Sequence, residues 1–302
     1  MTTFPTFPEF KPLTIEDRDE VHRRLWAYQP ETSELTFVNL FIWREYYNFK
    51  WSVYDDWLFV IGDREVDPLA LPPVGPASRA QATRALLEWL RDNRGVDDPL
   101  VARADRRLVD ELSGSGVFVI EPTRDHFDYV YGSENLGTLA GRKYSKKRNH
   151  INQFLRSYTF EYAPLTEALV PNCLALAEVW CEQRLCEDDI SLLHEFRGIR
   201  DALDHFSALH IEGGAIVLDG KVQAFSLGEL LNEKVAVVHI EKANPEFKGV
   251  YPMITQQFSA QRWQGNVDYI NREQDLGDPG LRHAKESYYP DYLVEKFNVR
   301  LA

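Results

Sequence analysis

The sequence predicts an α+β fold of two tandem units, 1–160 and 161–302, in which mixed, mostly antiparallel sheets are flanked by helices. Three observations carry this. Ala215 to Leu218, Lys221 to Gly228 and Val235 to Ile240 are successive strand-like runs, the first two joined by Asp219-Gly220, a pair that type I′ hairpin turns favour. Helical stretches precede them, and a helix, a strand, a second helix and a last strand follow. The first half repeats this order more loosely.

Taken along the chain, Thr14 to Gln29 places acids early and arginines late around Ile15, Val21, Leu25 and Trp26, which suits a helix and its macrodipole. Ser33 to Trp43 is too long and too aromatic for a loop and reads as a buried helix entered through Ser33. Trp51 to Tyr54 and Trp57 to Ile61 form a hairpin turning at Asp55-Asp56. Ser78 to Asn93 is amphipathic through Leu86, Leu87 and Leu90, Phe127 to Tyr131 is a strand, and a helical run from Gly141 to Tyr158 closes the first half. In the second half, helices over Thr166 to Leu185 and Asp188 to Phe206 lead into the three strands. A turn at Asn244 to Tyr251 then enters a helix ending near Trp263, and strand 267–270, helix 280–288 and a last strand from Tyr292 to Val299 complete the set.

The chain has 302 residues, 44% of them hydrophobic, enough for two real cores. A formal net charge of −13 opposes broad attraction to nucleic acid or anionic lipid, although a local basic patch can overcome it. Three cysteines without a Cys-x-x-Cys pair suit a reducing compartment, no apolar run reaches the length of a membrane helix, and the first residues lack a signal-peptide pattern. A cytoplasmic protein is expected. The eight histidines are scattered, no nucleotide-binding or hydrolase motif is present, and neither a metal nor a bound cofactor is expected.

Polar residues gather in three places. After the strand end at Tyr269-Ile270, the turn carries Asn271, Arg272, Glu273, Gln274 and Asp275, and the following helix carries Arg282, His283, Lys285 and Glu286. Charge at a strand's carboxyl end beside a helix start is how mixed α/β proteins build ligand sites, whereas an isolated charged loop is ordinarily only solvated. Arg142, Lys143, Lys146 and Lys147 share one broad helical face, able to hold phosphate, while Arg148 falls on the apolar face and is expected to meet a buried carboxylate. His239 and Glu241 alternate onto one face at the exit of a valine-rich strand, with Lys242 beside them, where they can serve as base and orienter. Convergence of these clusters on one site is the expectation.

Four motifs then carry a resemblance: Ser33-Glu34-x-Thr36-Phe37-x-Asn39-Leu40-x-x-Trp43; Gly141-Arg142-Lys143-Tyr144-x-x-Lys147-Arg148-Asn149-x-Ile151-Asn152-x-Phe154; His239-x-Glu241-Lys242-Ala243; and Tyr269-Ile270-Asn271-Arg272-Glu273-x-Asp275-Leu276-Gly277 with Leu281-Arg282-x-Ala284-Lys285-x-Ser287-Tyr288-x-Pro290. In order and over nearly the whole chain, they resemble bacterial proteins related to the C-terminal domain of phosphatidylglycerol lysyltransferase. The resemblance implies a tandem GNAT-like fold, as in Fem-type aminoacyltransferases, and the transfer of an aminoacyl group from aminoacyl-tRNA to an acceptor such as a lipid hydroxyl. In acetyl-CoA members of that fold the turn into the helix is glycine-rich and cradles pyrophosphate. Here Glu246-Phe247-Lys248-Gly249-Val250-Tyr251 offers one glycine, which argues for a donor other than CoA.

The resulting expectation is an aminoacyl- or acyltransferase. Glu273 or Asp275 acts as general base, His239 and Glu241 assist, and Arg272 and Lys285 stabilise negative charge. Lys143, Lys147, Arg148, Asn149, Lys242, Asn271 and Arg282 bind a phosphorylated donor, such as aminoacyl-tRNA, or a small-molecule or lipid-headgroup acceptor. A non-catalytic binding protein of the same fold and an acyl-CoA N-acyltransferase are the alternatives.

Overall fold

A computed structural model describes residues 4–65 and 67–302. The chain forms two compact units that are not continuous in sequence. One comprises the chain up to Asp128 with Gln274–Asp278 and Leu293–Ala302; the other comprises Tyr129–Glu273 and Pro279–Tyr292. The helical run expected to close the first half therefore belongs to the second unit, and the chain's last residues return to the first. Two seven-stranded, mostly antiparallel sheets result, as the tandem α+β reading expects.

The first unit's sheet runs, in spatial order, Lys11–Pro12, Phe49–Tyr54, Trp57–Gly62, Leu69–Ala70, Val101–Ala104, Phe297–Leu301 and Phe118–Pro122. Helices Ala80–Arg94 and Arg106–Leu112 cover it, burying Leu86, Leu87, Leu90 and Leu108 against Phe59, Ile61, Val101 and Val299. Asp105 caps the second of these helices by accepting the Leu108 N–H at 2.8 Å.

Two expectations are corrected here. The helix expected to start at Ser33 starts at Phe37, capped by Thr36, whose hydroxyl accepts the Asn39 N–H at 3.1 Å. The single last strand is two, Tyr292–Val294 and Phe297–Leu301, in different sheets. Both differences have one cause, because Ser33 and the residue at the strand break, Lys296, are claimed by a buried polar cluster. The Lys296 ammonium donates to Glu34 Oε2 and Asp128 Oδ1, each at 2.6 Å, with Ser33 Oγ and Gln274 Oε1 at 3.3 Å. Ser33 also spends its N–H on Asp128 Oδ2 at 2.9 Å. Arg103 closes on Glu34 Oε1 at 3.2 Å, and burial outweighs these cations in pushing the Glu34 carboxyl above its ordinary range.

The second unit's sheet runs Tyr292–Val294, Asp128–Gly132, Tyr269–Asn271, Val235–Ala243, Lys221–Leu230, Glu212–Leu218 and Glu161–Pro164. The hairpin turns at Asp219 and Gly220 with φ of 49° and 75°, the left-handed pair that a type I′ turn requires. Helices Val170–Arg184, Ile190–Asp204, Val250–Phe258 and Ser145–Ser157 belong to this unit. Within this sheet Val235–Ala243 and Tyr269–Asn271 pair in parallel.

Removing the ammonium takes the shared cation from two buried carboxylates, leaving Glu34 with Arg103. Lys296→Met should therefore cost about 3–5 kcal/mol of stability, measured by urea unfolding. A cost below about 1 kcal/mol, the range of an exposed pair, would show that the cluster is not the anchor of this unit.

Candidate functional site

The site forms where two parallel strands stop pairing. The register runs Val235↔Tyr269, Ala236↔Ile270, Val237↔Asn271, and there the parallel ladder ends. Val235–Ala243 continues to Ala243 along Lys221–Leu230, whereas the chain after Asn271 stays with its other neighbour. Arg272 donates its N–H to Tyr129 O at 2.9 Å, and Tyr129 donates to Glu273 O at 3.1 Å. Beyond the last parallel rung the two strands are joined by side chains.

Arg272 Nη2 reaches Glu241 Oε1 at 2.9 Å, and Glu273 Oε1 meets His239 Nδ1 at 2.8 Å. Adjacent residues of one strand thus engage alternate residues of the other, and the first and third sequence clusters meet. A bulge makes this possible. Leu227 faces Ile240 and Gly228 faces Val238, so His239 is the extra residue, and Gly228 has no room for a side chain because a Cβ there would strike the Val237 carbonyl. Asn271 shapes the turn by accepting the Glu273 N–H at 2.8 Å, which holds Glu273 at a φ of 57° that a side-chain-bearing residue rarely adopts.

Each charge has a defined partner. The His239 side chain is fully buried between Glu273 and Glu229, the latter at 3.0 Å from Nε2. Burial disfavours its cation, but hydrogen bonds to Glu229 and Glu273 win and raise its pKa to about 9, so both ring nitrogens donate as imidazolium at neutral pH. Glu241 also accepts from Thr255 Oγ1 at 2.8 Å and Ser226 Oγ at 3.2 Å. For Arg272, burial works against the charge, and Glu241 together with the Tyr131 and Tyr288 hydroxyls outweighs it, keeping the guanidinium firmly protonated.

The second cluster enters through one residue. Lys147 lies half-buried with Nζ 3.8 Å from the centre of the Tyr288 ring. Burial first and the nearby Arg272 second lower its pKa to about 8, against the pull of Glu241. Its helix neighbours Arg142, Lys143, Lys146 and Asn149 are exposed, with the Lys143 ammonium 5.7 Å from the Tyr289 ring.

Other sequence candidates serve elsewhere. Among the described residues Arg148 meets no carboxylate; Nη1 donates to the carbonyls of Leu139 and Gly141, binding the turn that enters its own helix. Lys242, one residue out of phase with Glu241, pairs with Glu195 at 2.6 Å and stacks on Trp180, as strand alternation requires. Lys285 donates to the carbonyls of Arg272 and Glu273 and so braces the turn, while Arg282 is half-buried on the same helix, Pro279–Glu286. Asp275 belongs to the first unit, where it is buried, accepts the Gly277 N–H at 2.9 Å and pairs with Arg124 at 3.3 Å. Glu229, Thr255 and Ser226 were not singled out from the sequence. Glu229 had a usable signal, the one acid in the strand Lys221–Leu230.

Gly249 starts helix Val250–Phe258 at a φ of 91°, and a Cβ on it would collide with the His150 carbonyl oxygen and lie 3.1 Å from Phe154 Cβ. The single glycine of that turn is thus accounted for by close packing of helix Ser145–Ser157. Among the described residues no helix is long and apolar enough to cross a membrane, and no cluster of three or more His, Cys, Asp or Glu is placed to hold a metal.

Because the folded pKa of His239 lies above its ordinary 6.5, its stabilisation should be complete below about pH 6.5 and lost as pH rises through about 9. Thermal unfolding of the parent and of His239→Gln should show their difference shrinking across that window. A difference independent of pH there would mean that the histidine is held neutral.

The chain is similar to several known proteins. A crystallised conserved protein of unknown function from Bacteroides thetaiotaomicron VPI-5482 is 32% identical, with a TM-score of 0.89 over 99% of this chain and 100% of that one. L-PGS from Bacillus licheniformis shares the fold at 13% identity, with a TM-score of 0.67 over 94% of this chain and 91% of that one. An uncharacterised protein of Mycoplasmoides gallisepticum is 23% identical over 179 residues, 58% of this chain and 56% of that protein, so the match spans little more than half of that relative's length. The family model for the C-terminal part of phosphatidylglycerol lysyltransferase matches residues 27–300, and the chain belongs to that family.

Proposed function

We propose that this chain is an aminoacyltransferase that moves an aminoacyl group from an activated ester, with aminoacyl-tRNA as the donor class the family implies, to a hydroxyl or amine acceptor. The observation that carries the reading is the meeting of Lys147, Arg272, Glu241, His239 and Glu273 where the parallel strands part. Such a site combines fixed positive charge with a carboxylate and an amine whose pKa lies near neutrality, the set that acyl transfer uses.

In the proposed reaction the acceptor oxygen or nitrogen adds to the ester carbonyl carbon, and the bond from that carbon to the donor's ribose oxygen breaks. The proton leaving the acceptor ends on the departing hydroxyl. Glu273 takes it first, with His239 holding that carboxylate in place. Arg272 and Lys147 face the developing oxyanion, and Lys143 with its exposed basic neighbours attracts donor phosphates. Asp275, committed to Arg124 and Gly277, has no part in this scheme. A cytoplasmic setting, where charged tRNA is available, fits the reading. The acceptor class, a lipid headgroup or a small molecule, follows from the family alone.

The packing of helix Ser145–Ser157 on Gly249 supports a donor other than CoA, because it lays a carbonyl oxygen and Phe154 against the helix start that would cradle pyrophosphate. Calorimetric titration with acetyl-CoA at physiological salt should accordingly show no binding. Tight binding that is insensitive to salt would restore acyl-CoA transfer and overturn the donor assignment.

With charged tRNA as donor, Glu273→Gln should lower kcat by about 10²–10⁴ with donor affinity intact, since a general base acts on the transition state. Lys143→Gln should weaken donor binding and flatten its salt dependence, each phosphate contact contributing roughly one to the slope, whereas Lys147→Gln, which removes a charge facing the oxyanion, should lower kcat. Loss of binding in all three variants without conversion of any bound ligand would identify a binding protein instead.

A further inference from the structure

The first unit contains a cavity of about 500 Å³ whose walls include Arg23, Arg24, Tyr28, Arg79, Arg107 and Glu111 together with the Val74–Ala77 segment. We propose that it binds a small phosphorylated molecule, held by Arg24 and Arg107.

The argument rests on which guanidinium N–H groups are already committed. Arg79 is buried and spent: it donates to Glu111 from its backbone N–H at 2.7 Å and from Nε at 2.9 Å, and to the Tyr28 hydroxyl. Arg23 gives Nε and Nη2 to Glu20, at 2.9 and 2.7 Å. Arg24 has only its Nε on that same carboxylate, at 2.7 Å, although its side chain is 18% exposed. One carboxylate therefore serves two guanidinium groups, and the Nη groups of Arg24 remain to donate.

Arg107 makes the stronger case. Nε donates to Asp105 at 3.0 Å, with Glu31 at 3.8 Å, and Nη1 reaches Tyr28 O at 3.4 Å, while its guanidinium carbon sits 4.3 Å from the Tyr28 ring centre. Nη2 is buried and has no hydrogen-bond partner. A buried, unsatisfied donor on a cation is costly, and an anion in the cavity that Arg107 lines would draw the guanidinium round to use it.

Acids are also present. Glu20, Glu31, Asp105 and Glu111 stand beside the arginines and fix their planes, and the exposed Asp56 lies on the cavity wall. The donors left over on Arg24 and Arg107 therefore favour a compact ligand with several acceptor oxygens, for which phosphate is the match to a guanidinium fork. The volume is that of a small-molecule pocket, which favours a free metabolite over an extended polynucleotide.

The test is calorimetric titration of the whole chain with inorganic pyrophosphate. Saturable single-site binding is expected, weakened at least about tenfold (about 1.4 kcal/mol) in Arg24→Gln and in Arg107→Gln and unchanged in Arg91→Gln, an exposed arginine elsewhere in the unit, with thermal midpoints confirming folding. If Arg107→Gln does not fold, Arg107→Lys, which keeps the charge without the fork, should still weaken binding. Absence of saturable binding, or equal weakening by Arg91→Gln, would overturn the proposal. So would tight binding of a short oligoribonucleotide that pyrophosphate fails to displace, since that would assign the arginines to RNA.

Discussion

The end of the parallel ladder at Val237 and Asn271 is the constraint on which the second unit's chemistry depends. Two parallel strands that diverge leave main-chain groups to be satisfied, and each strand here keeps the neighbour on its outer side. The gap between them is then spanned by charged side chains instead of backbone. Lys147, Arg272 and His239 supply three cations, and Glu229, Glu241 and Glu273 three carboxylates. Partly buried charge persists only when matched in this way. The polar site and the completion of the sheet are consequently the same structure.

Within that balanced set, Lys147 holds its proton least firmly relative to an ordinary lysine, since it is half-buried and lies near another cation, Arg272. His239 is the opposite case, a buried imidazole kept charged by two carboxylates. Helix Ser145–Ser157 links these electrostatics to packing. It carries Lys147 to Tyr288 and, one turn later, lays the His150 carbonyl against Gly249. A single helix placement thus supplies a cation to the site and covers the start of Val250–Phe258.

In the first unit the corresponding constraint is a buried ammonium. Lys296 gathers Ser33, Glu34, Asp128 and Gln274 from three separate parts of the chain, and its pull explains why the last strand breaks and why the helix begins at Phe37 and not at Ser33. Ser33 and Glu34 belong to the first family motif, so part of that motif is occupied in holding the unit together. Its role is distinct from that of Arg272 and Glu273, although Gln274 is their chain neighbour.

The sequence by itself determined the local elements and the faces of their residues. Asp219-Gly220 dictated its hairpin, the hydrophobic periods dictated the helices, and alternation put Glu241 on one side of a strand while sending Lys242 to the other. These are short-range consequences of φ/ψ preference and side-chain period. Only the tertiary structure decided the partners. Arg272 with Glu241, His239 with Glu229 and Glu273, Arg148 with two carbonyls and Lys296 with Glu34 depend on which strands lie side by side, where a bulge falls and where a ladder stops. A charged side chain is compatible with many partners in sequence, and the burial that makes one of them obligatory exists only after the sheets have assembled.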